Sequence, residues 1–362
     1  MPEGHTVHRL ARTFASLYSG QILRVSSPQG RFADGAAVLD GRRLVASEAW
    51  GKQLFLGFAP AGRSAPADVS DARVTGVTSG SDILWLRTHL GLYGAWTFAG
   101  APDAPEVAHA IGAPRRRIGE RETTAPPPPA SDGSDPQVTL VSSTSDTWIV
   151  PEPRGQVRVR LLGDHAVADL TGPTACEVIT AEEKTAVQAR LGPDPIRDDG
   201  DVEAFVAAVG RSRVTIGQQL MDQAVVAGVG NIYRAEALFR AGVDPLRPGR
   251  DVPAAAVRAI WDDLVTLMRD GAAHGAIVTT RPADRPVRRE QDPDQGSGEH
   301  RPDVDGRRRT RQNTDGAPDA VPADQAFYVY HRDGLPCRVC GTPVLIKELA
   351  GRNLFWCDTC QT

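Results

Sequence analysis

The sequence predicts an α+β protein in which an N-terminal antiparallel β-sandwich with one helix is followed by a helical domain and a small cysteine hairpin. Three observations predict it. Strand-like apolar segments extend to about residue 183, the apolar period becomes helical after a break with two prolines at 191–199, and four of the 5 cysteines lie near the C-terminus. A chain of 362 residues is long enough for two or three domains. The predicted boundaries are 1–183, 184–280, 281–324 and 325–362.

The first domain begins with a predicted amphipathic helix over residues 3–18. Val7, Leu10 and Phe14 fall on one face at helical spacing, and Gly20 ends the segment. Apolar or alternating segments that predict strands follow, and Gly, Pro and Asp separate them. The strand segments are 44–58, 83–98, 147–150 and 156–162, and loose polar insertions are predicted at 61–82 and 119–137.

The second domain is predicted to be helical throughout. Its helical segments are 202–209, 216–226, 232–241 and 254–268. The segment 281–324 differs from both domains because it has almost no large apolar residues and many charges of both signs. Such a composition does not bury enough apolar surface to order a chain, so it predicts a disordered, charged linker.

Composition excludes several classes of protein. The chain has no run of roughly 18 apolar residues, so no membrane span is predicted, and its N-terminus lacks the apolar stretch of a secretory signal. The 5 cysteines are too sparse for a disulfide scaffold, which predicts a reducing, cytoplasmic location. The formal net charge of −4 gives no global positive field, so any contact with nucleic acid has to come from local clusters.

The cysteine pattern is the most specific local signal. Cys337-x-x-Cys340 is followed, after a spacer of sixteen residues, by Cys357-x-x-Cys360. Two such pairs of thiolates complete a tetrahedral Zn²⁺ site, and a site filled by four protein ligands is structural rather than catalytic. The competing readings are two disulfides, which a reducing compartment disfavours, and a chance spacing of the cysteines.

A glycine turn between two helical segments is the second signal. Gly228 and Gly230 allow a tight turn, and Asn231 is a favoured N-cap for a helix that begins at Ile232. The N–H groups of such a turn, beside the positive end of a helix dipole, form a phosphate site. Taken alone, the turn is equally typical of an ordinary corner between two helices.

The start of the chain carries a less specific pattern. If the initiator Met1 is removed, Pro2 becomes a secondary amine at the N-terminus with Glu3 beside it. An α-amino group titrates near about 8, against roughly 10.4 for lysine, so a useful fraction is neutral and nucleophilic near neutral pH. Glu3 can then move protons as a general acid or base. Many unrelated proteins also begin with Met-Pro-Glu.

Five motifs occur in a fixed order along nearly the whole chain. They are MPEG at the N-terminus, GK after a strand, LGPDP, QLMDQ with AGVGNIYRAEALF, and RNLFWCDTC in the cysteine hairpin. In this combination the chain resembles the formamidopyrimidine-DNA glycosylase / endonuclease VIII family, and MPEG followed by His5 is nearer to the endonuclease VIII branch. The resemblance implies a helix-two-turn-helix DNA-binding domain and a zinc-finger hairpin. It also implies a bifunctional DNA glycosylase/AP lyase of base excision repair.

The resemblance implies roles for single residues. Pro2 corresponds to the nucleophile that forms a Schiff base with DNA, and Glu3 to the proton donor. Lys52 matches the lysine that assists β-elimination, and Arg352 matches the hairpin arginine that grips phosphates and is assigned to δ-elimination. The DNA-binding positions are the phosphate-contacting Asn231 and Arg190, the turn glycines Gly228 and Gly230, and the wedge residues Leu92 and Tyr93, which fill the gap left by a flipped nucleotide.

The resemblance further implies the substrate and the setting. We expect oxidised bases, pyrimidines above all, to be excised from damaged double-stranded DNA by a monomer in the cytoplasm, at the nucleoid. Two alternatives stay open. One is an enzyme of the same fold that prefers oxidised purines such as formamidopyrimidine and 8-oxoguanine. The other is a non-catalytic, zinc-containing protein that binds damaged DNA.

Overall fold

The computed structural model describes residues 2–62, 82–101, 104–105, 116–118, 148–285 and 321–362. The predicted insertion at 119–137 lies outside the described residues, and so do most of the predicted insertion at 61–82 and most of the predicted linker at 281–324. At the two ends of that linker the chain forms short 3₁₀ turns, Pro282–Asp284 and Ala323–Gln325.

The N-terminal helix, α1, spans Gly4–Tyr18, within one residue of the prediction. Leu10, Phe14 and Tyr18 are completely buried on one face. Phe14 meets Trp96 edge to face, with ring centroids 4.8 Å apart. Burial of each such side chain contributes about 2 kcal/mol, so the helix is firmly seated on the sandwich. This packing fixes the start of α1, where Pro2 and Glu3 lie.

The described part of the first domain contains nine strands and two further helices. The strands are β1 (Ile22–Ser26), β2 (Arg42–Trp50), β3 (Gln53–Ala59), β4 (Leu84–His89), β5 (Ala95–Gly100), β6 (Arg116–Ile118), β7 (Val157–Leu162), β8 (Ala166–Thr171) and β9 (Ala175–Ile179), and the helices are α2 (Ala33–Leu39) and α3 (Ala181–Gln188). All strand pairs are antiparallel, in the order β6-β5-β8-β7-β1-β2-β3-β4-β9. Strand β1 joins the two halves, because Ile22 and Leu23 pair with β2 whereas residues 24–26 pair with β7.

Three of the predicted strand segments differ from the structure in detail. The segment 44–58 is divided by a tight turn at residues 51–52, and the segment 83–98 by a turn at residues 90–94. Residues 148–150 are not a strand. Pro151 and Pro153 follow them directly and have no N–H to donate to a ladder, which is the physical reason for that error.

The helical domain consists of four helices around one core. They are α4 (Val202–Gly210), α5 (Ile216–Gln219), α6 (Asn231–Arg240) and α7 (Ala254–His274). The fully buried residues of the core include Phe205, Leu238 and Leu264. Helix α7 ends at Gly275, which takes the left-handed conformation at φ 74° that suits glycine. No helix in the described part of the chain is both long and apolar enough to cross a membrane.

Helix α5 is much shorter than the predicted segment 216–226. It ends at Gln219 because the next side chains bind the backbone of the turn instead of continuing the helix. Asp222 Oδ1 accepts from the N–H of Ala224 at 2.9 Å, and Gln223 Oε1 accepts from the N–H of Gly228 at 3.0 Å. The connection from α5 to α6 is therefore a pair of hydrogen-bonded turns.

The C-terminal segment packs onto the helical domain. Its hairpin consists of β10 (Leu345–Leu349) and β11 (Arg352–Trp356), and Phe355 lies in the core of the helical domain. Glu236 of α6 is completely buried and accepts the backbone N–H groups of Tyr328, Val329 and Tyr330, each at 2.8 Å. A buried carboxylate with three charge-assisted hydrogen bonds anchors the chain that leads into the hairpin.

Candidate active site

The Glu3 carboxylate sits at the N-terminus of α6. Its Oε2 accepts from the N–H of Gly230 and its Oε1 accepts from the N–H of Ile232, both at 2.8 Å. Glu3 is fully buried. It caps α6 in the role predicted for Asn231, which is instead the first residue of the helix. A cap supplied from 227 residues away in the chain leaves no local pattern, so this prediction was wrong.

Burial dominates the electrostatics of Glu3. Loss of hydration raises its pKa above the usual value of 4.5, while the positive charge of Lys52, the N–H of Ile232 and His5 act in the opposite direction. The pKa remains raised overall. The carboxyl group is therefore protonated up to a higher pH than an exposed glutamate, as a proton donor requires.

The glycines of the turn allow a close approach of α1. Gly4 N–H donates to the carbonyl of Gly228 at 2.8 Å, and Gly228 takes a left-handed φ of 91°. A Cβ on Gly230 would lie 2.4 Å from Cδ of Glu3. The N–H groups of Gly228 and Gly230 donate to Gln223 and Glu3, so they serve the protein's own packing here. Contact between these two glycines and DNA stays a prediction.

Lys52, which lies in the first domain, reaches the same turn of the helical domain. It follows Gly51 in the β2–β3 turn and is only 8% exposed, and its Nζ donates to the carbonyl of Val229 at 2.8 Å. Gly51 adopts a φ of 56° and donates its N–H to Asp194 Oδ2 at 2.7 Å. The backbone next to Lys52 is thus held by Asp194, in the segment between the two domains. The ammonium group of Lys52 is held by the α5–α6 turn.

Asp194 joins three parts of the chain. Besides Gly51, its carboxylate contacts His8 Nε2 at 2.7 Å and accepts from the N–H of Ile196 at 2.9 Å. Burial raises the pKa of Asp194, but the charge and hydrogen bond of His8 and the two backbone N–H groups outweigh it, so the pKa is lowered. Neither Asp194 nor His8 was among the sequence-predicted site residues, because their partnership spans 186 residues.

The zinc hairpin contacts the start of α6 through one backbone carbonyl. Asn353 O accepts from Asn231 Nδ2 at 3.0 Å and from Arg234 Nη2 at 2.9 Å. Arg234 also donates to Asn231 Oδ1. Arg352, the first residue of β11, precedes the shared carbonyl and is half-buried. These contacts bring Arg352 and Asn231 to the end of α6 that Glu3 caps.

Arg234 is a site residue that the sequence analysis missed. Its guanidinium is completely buried. Burial lowers its pKa to about 10; the Glu3 carboxylate opposes this shift, and the positive charge of Arg352 adds to it. An arginine three residues after Asn231 on an otherwise buried helix was the available signal, because a buried guanidinium needs nearby acceptors or carboxylates.

The residues predicted to form the wedge lie on the turn that follows β4. Leu92 is half-buried and Tyr93 is 65% exposed. The last residue of β4, His89, pairs with Gln53, which directly follows Lys52. Burial lowers the pKa of His89, and the charges of Lys52 and Arg87 lower it further. The turn therefore starts beside Lys52, and its exposed tip is available to a partner.

Arg190 lies apart from the contacts described above. It is exposed just beyond the end of α3, and its N–H donates to the carbonyl of Val187 in the same helix end. Its contact with a DNA phosphate stays a prediction.

The four clustered cysteines fit a zinc ion. Their sulfur atoms all lie within 4.8 Å of one another. The Sγ atoms of Cys340 and Cys357 are 3.5 Å apart, and those of Cys337 and Cys360 are 3.9 Å apart. Zn–S bonds of about 2.3 Å in a tetrahedron give S···S distances of about 3.8 Å, whereas a disulfide needs about 2.05 Å. The cluster is the only candidate metal site among the residues that the structure describes.

Comparisons with known proteins agree with this assembly. The family model of the formamidopyrimidine-DNA glycosylase H2TH domain matches residues 191–282, and the model of the zinc finger found in FPG and IleRS matches residues 334–362. Endonuclease 8 1 of Mycobacterium tuberculosis (strain H37Rv) is 38% identical over 362 residues, 100% of both chains. A formamidopyrimidine-DNA glycosylase of Thermus thermophilus is 31% identical over 172 residues, 48% of this chain and 54% of that protein.

Solved structures share the fold. The complex between Lactococcus lactis Fpg and an abasic-site DNA has a TM-score of 0.59 at 16% identity, over 99% of both chains. The fold, the site and these matches define the class as a DNA glycosylase and AP lyase with a helix-two-turn-helix domain and a zinc finger. The chain belongs to the formamidopyrimidine-DNA glycosylase/endonuclease VIII family.

Proposed function

We propose that this enzyme is bifunctional: it excises oxidised bases, pyrimidines in preference to purines, from damaged duplex DNA, and then cuts the strand by β,δ-elimination. One observation carries the proposal. Glu3, directly after Pro2, and Lys52 come from two separate parts of the first domain, and both bind the turn at residues 228–232 of the helical domain. A proton donor and a cation beside a candidate amine are the groups that this chemistry needs.

The amine of Pro2, freed by removal of Met1, is the proposed nucleophile. Its nitrogen bonds to C1′ of the deoxyribose as the bond from C1′ to the base breaks, and the base leaves with that electron pair and takes up the proton that the amine nitrogen gives up. Glu3 protonates O4′ as the sugar ring opens, and an iminium ion forms between Pro2 and C1′. Because its pKa is raised, Glu3 keeps this proton to a higher pH than an exposed glutamate does.

The iminium ion then drives strand cleavage. It acidifies the C2′ proton, whose removal expels the 3′ phosphate in β-elimination, and a second proton loss expels the 5′ phosphate in δ-elimination. Lys52 assists proton transfer and neutralises developing charge in the first step, while Arg352 holds the phosphates beside the flipped nucleotide. Hydrolysis of the imine releases the sugar fragment and restores the amine.

Binding of DNA is proposed to use three regions. Asn231 and the hairpin carrying Arg352 contact the backbone around the lesion, with Arg190 as an outlying phosphate contact. The wedge turn with Leu92 and Tyr93 fills the space left in the stack. One structural Zn²⁺ ion, held by the four cysteines, keeps the hairpin folded and supplies no step of the reaction.

The proposed pyrimidine preference rests on the likeness to the endonuclease VIII branch, which the lengths of the matches favour. A relative that matches over the whole chain is named an endonuclease 8, whereas the formamidopyrimidine-DNA glycosylase of Thermus thermophilus matches 48% of this chain.

The test uses duplexes that carry thymine glycol, 8-oxoguanine opposite cytosine, or an abasic site. We expect faster excision of thymine glycol than of 8-oxoguanine, and a borohydride-stable adduct with the abasic duplex. Pro2→Gly and Glu3→Gln should lose base excision, whereas Glu203→Gln, which alters an exposed ion pair with Arg258, should not. Faster excision of 8-oxoguanine would support the purine alternative, and binding without any adduct would leave only a damaged-DNA-binding protein.

A further inference from the structure

The side-chain amide of Gln223 is built into the turn that meets both candidate catalytic groups. Its Oε1 accepts from the N–H of Gly228 at 3.0 Å, and its Nε2 donates to the carbonyls of Val229 at 3.0 Å and Met221 at 3.1 Å. A single side chain thus holds backbone groups on both sides of Gly228, a residue whose φ of 91° is accessible to glycine and strained for other residues.

The peptide unit between Val229 and Gly230 connects the two candidate catalytic residues. Its carbonyl oxygen accepts from Lys52 Nζ at 2.8 Å as well as from Gln223, so both of its lone pairs are used. Its N–H donates to Glu3 Oε2 at 2.8 Å. Two donors on the oxygen polarise the amide and strengthen the hydrogen bond that its N–H makes.

The orientation of this one peptide plane therefore influences where both the Lys52 ammonium group and the Glu3 carboxylate lie. If the plane rotates, the carbonyl turns away from Lys52 Nζ and the N–H turns away from Glu3 together. Ile232 N–H still holds the other oxygen of Glu3, and Asp194 still holds the backbone of Gly51. Gln223 adds a hydrogen bond that helps to fix the direction of this carbonyl and, through it, the position of the Lys52 ammonium group relative to Glu3.

We propose that Gln223 is a positioning residue, which orients the Val229–Gly230 peptide so that Lys52 and Glu3 face the reacting sugar in a fixed relative geometry. The inference rests on the function proposed above for those two residues. Gln223 touches neither DNA nor the reacting atoms in this scheme. Its removal changes the rate of chemistry rather than the affinity for DNA.

The test compares Gln223→Met with wild type in single-turnover assays of base excision and strand cleavage. Met keeps the volume of Gln but donates and accepts no comparable hydrogen bond. We expect both rates to fall roughly tenfold to a hundredfold, as misplacement by about 1 Å costs, while the Kd for the same duplex changes less than about twofold. Gln218→Met, on the exposed side of α5, is the matched control and should keep wild-type rates.

A second variant separates the effect of Gln223 on the orientation of the Val229–Gly230 peptide from the effect of its packing. Gln223→Glu keeps an acceptor for Gly228 N–H but turns a carboxylate oxygen toward the carbonyl of Val229, so it should be at least as slow as Gln223→Met. Thermal unfolding of each variant sets an assay temperature at which it is folded. Wild-type rates in folded Gln223→Met overturn the inference alone, because the wild type is still trapped on abasic DNA. Failure of the wild type to be trapped overturns the proposed function and this inference with it.

Discussion

The zinc hairpin and the turn at residues 227–232 hold their functional groups in opposite ways. The hairpin gathers four ligands from two short Cys-x-x-Cys turns, and those ligands are close in sequence. The turn gathers Glu3 and Lys52 from two distant parts of the chain, and Gln223 from directly before it, onto a few backbone groups. The first arrangement places four side chains where they fit a zinc ion, and the second is held by the backbone. The comparison implies that the hairpin loses its structure when a cysteine ligand is removed. The turn, in contrast, should lose its function when its backbone conformation is changed.

Removal of a zinc ligand tests the first half of the comparison and should have the largest effect. In Cys357→Ser the site loses one of its four thiolates, and binding of structural zinc supplies roughly 10–16 kcal/mol of folding free energy in small zinc domains. We expect loss of bound zinc and a fall of more than about a hundredfold in DNA affinity, measured by metal analysis and fluorescence anisotropy. The matched control is Cys176→Ser, a thiol outside the cluster. Full DNA affinity without zinc would break the comparison.

Asp194→Asn tests whether the position of the Gly51 backbone, next to Lys52, depends on a carboxylate that is distant in the sequence. The buried carboxylate loses its contact with His8 and weakens two backbone hydrogen bonds, so the free energy of unfolding at pH 7 should fall by about 2–4 kcal/mol. Because the folded pKa of Asp194 is lowered, its stabilisation exists above the unfolded value of 3.8 and disappears as the pH falls through the folded value.

The measurement is denaturant unfolding of wild type and variant between pH 7 and pH 3. The difference between them should shrink towards the acid end. Asp198→Asn, at an exposed ion pair with Arg269, serves as the control and should change stability by less than about 1 kcal/mol. A difference that is equal at every pH would show that the charge of Asp194 does not contribute.

Gly230→Ala tests the shape of the turn directly. The added Cβ would lie 2.4 Å from Cδ of Glu3, so either the carboxylate or the turn has to move. We expect base excision to slow by roughly a hundredfold with a smaller loss of DNA affinity, measured in single-turnover assays. Gly210→Ala, where a Cβ meets nothing within 4 Å, is the matched control and should retain activity. Normal excision by Gly230→Ala would mean that Glu3 is not held where the reaction needs it.

The sequence predicts features that depend on local spacing better than features that depend on contacts between distant parts of the chain. The cluster of four cysteines, helix α1 and the helical domain could be predicted, because each of them depends on a local period or spacing in the sequence. The cap of α6 by Glu3, the pairing of His8 with Asp194 and the early end of α5 were not predicted. Each of them depends on a side chain that meets backbone or charge outside its own periodic pattern. Lys52 and Arg352 entered through a resemblance, since no local pattern marks them, and the Met-Pro-Glu start indicated Pro2 only weakly.

Tyr93→Ala should have the smallest effect on the folded protein. The side chain is 65% exposed, so the free energy of unfolding should change by less than about 0.5 kcal/mol. Excision from a duplex should slow because the gap in the stack is less well filled, whereas excision from a single strand should not. The two rates are compared on oligonucleotides of the same sequence. Equal slowing on both substrates would indicate that Tyr93 does not act as a wedge.

The most direct measurement is the chemical identity of the trapped linkage. Wild-type protein is reduced with borohydride on an abasic duplex, digested, and the peptide that carries the sugar is sequenced by mass spectrometry. We expect a chain that begins at Pro2, with the sugar on its ring nitrogen. Attachment to Lys52 or to any other amine, or a chain that still carries Met1 in the active preparation, would contradict the proposed mechanism.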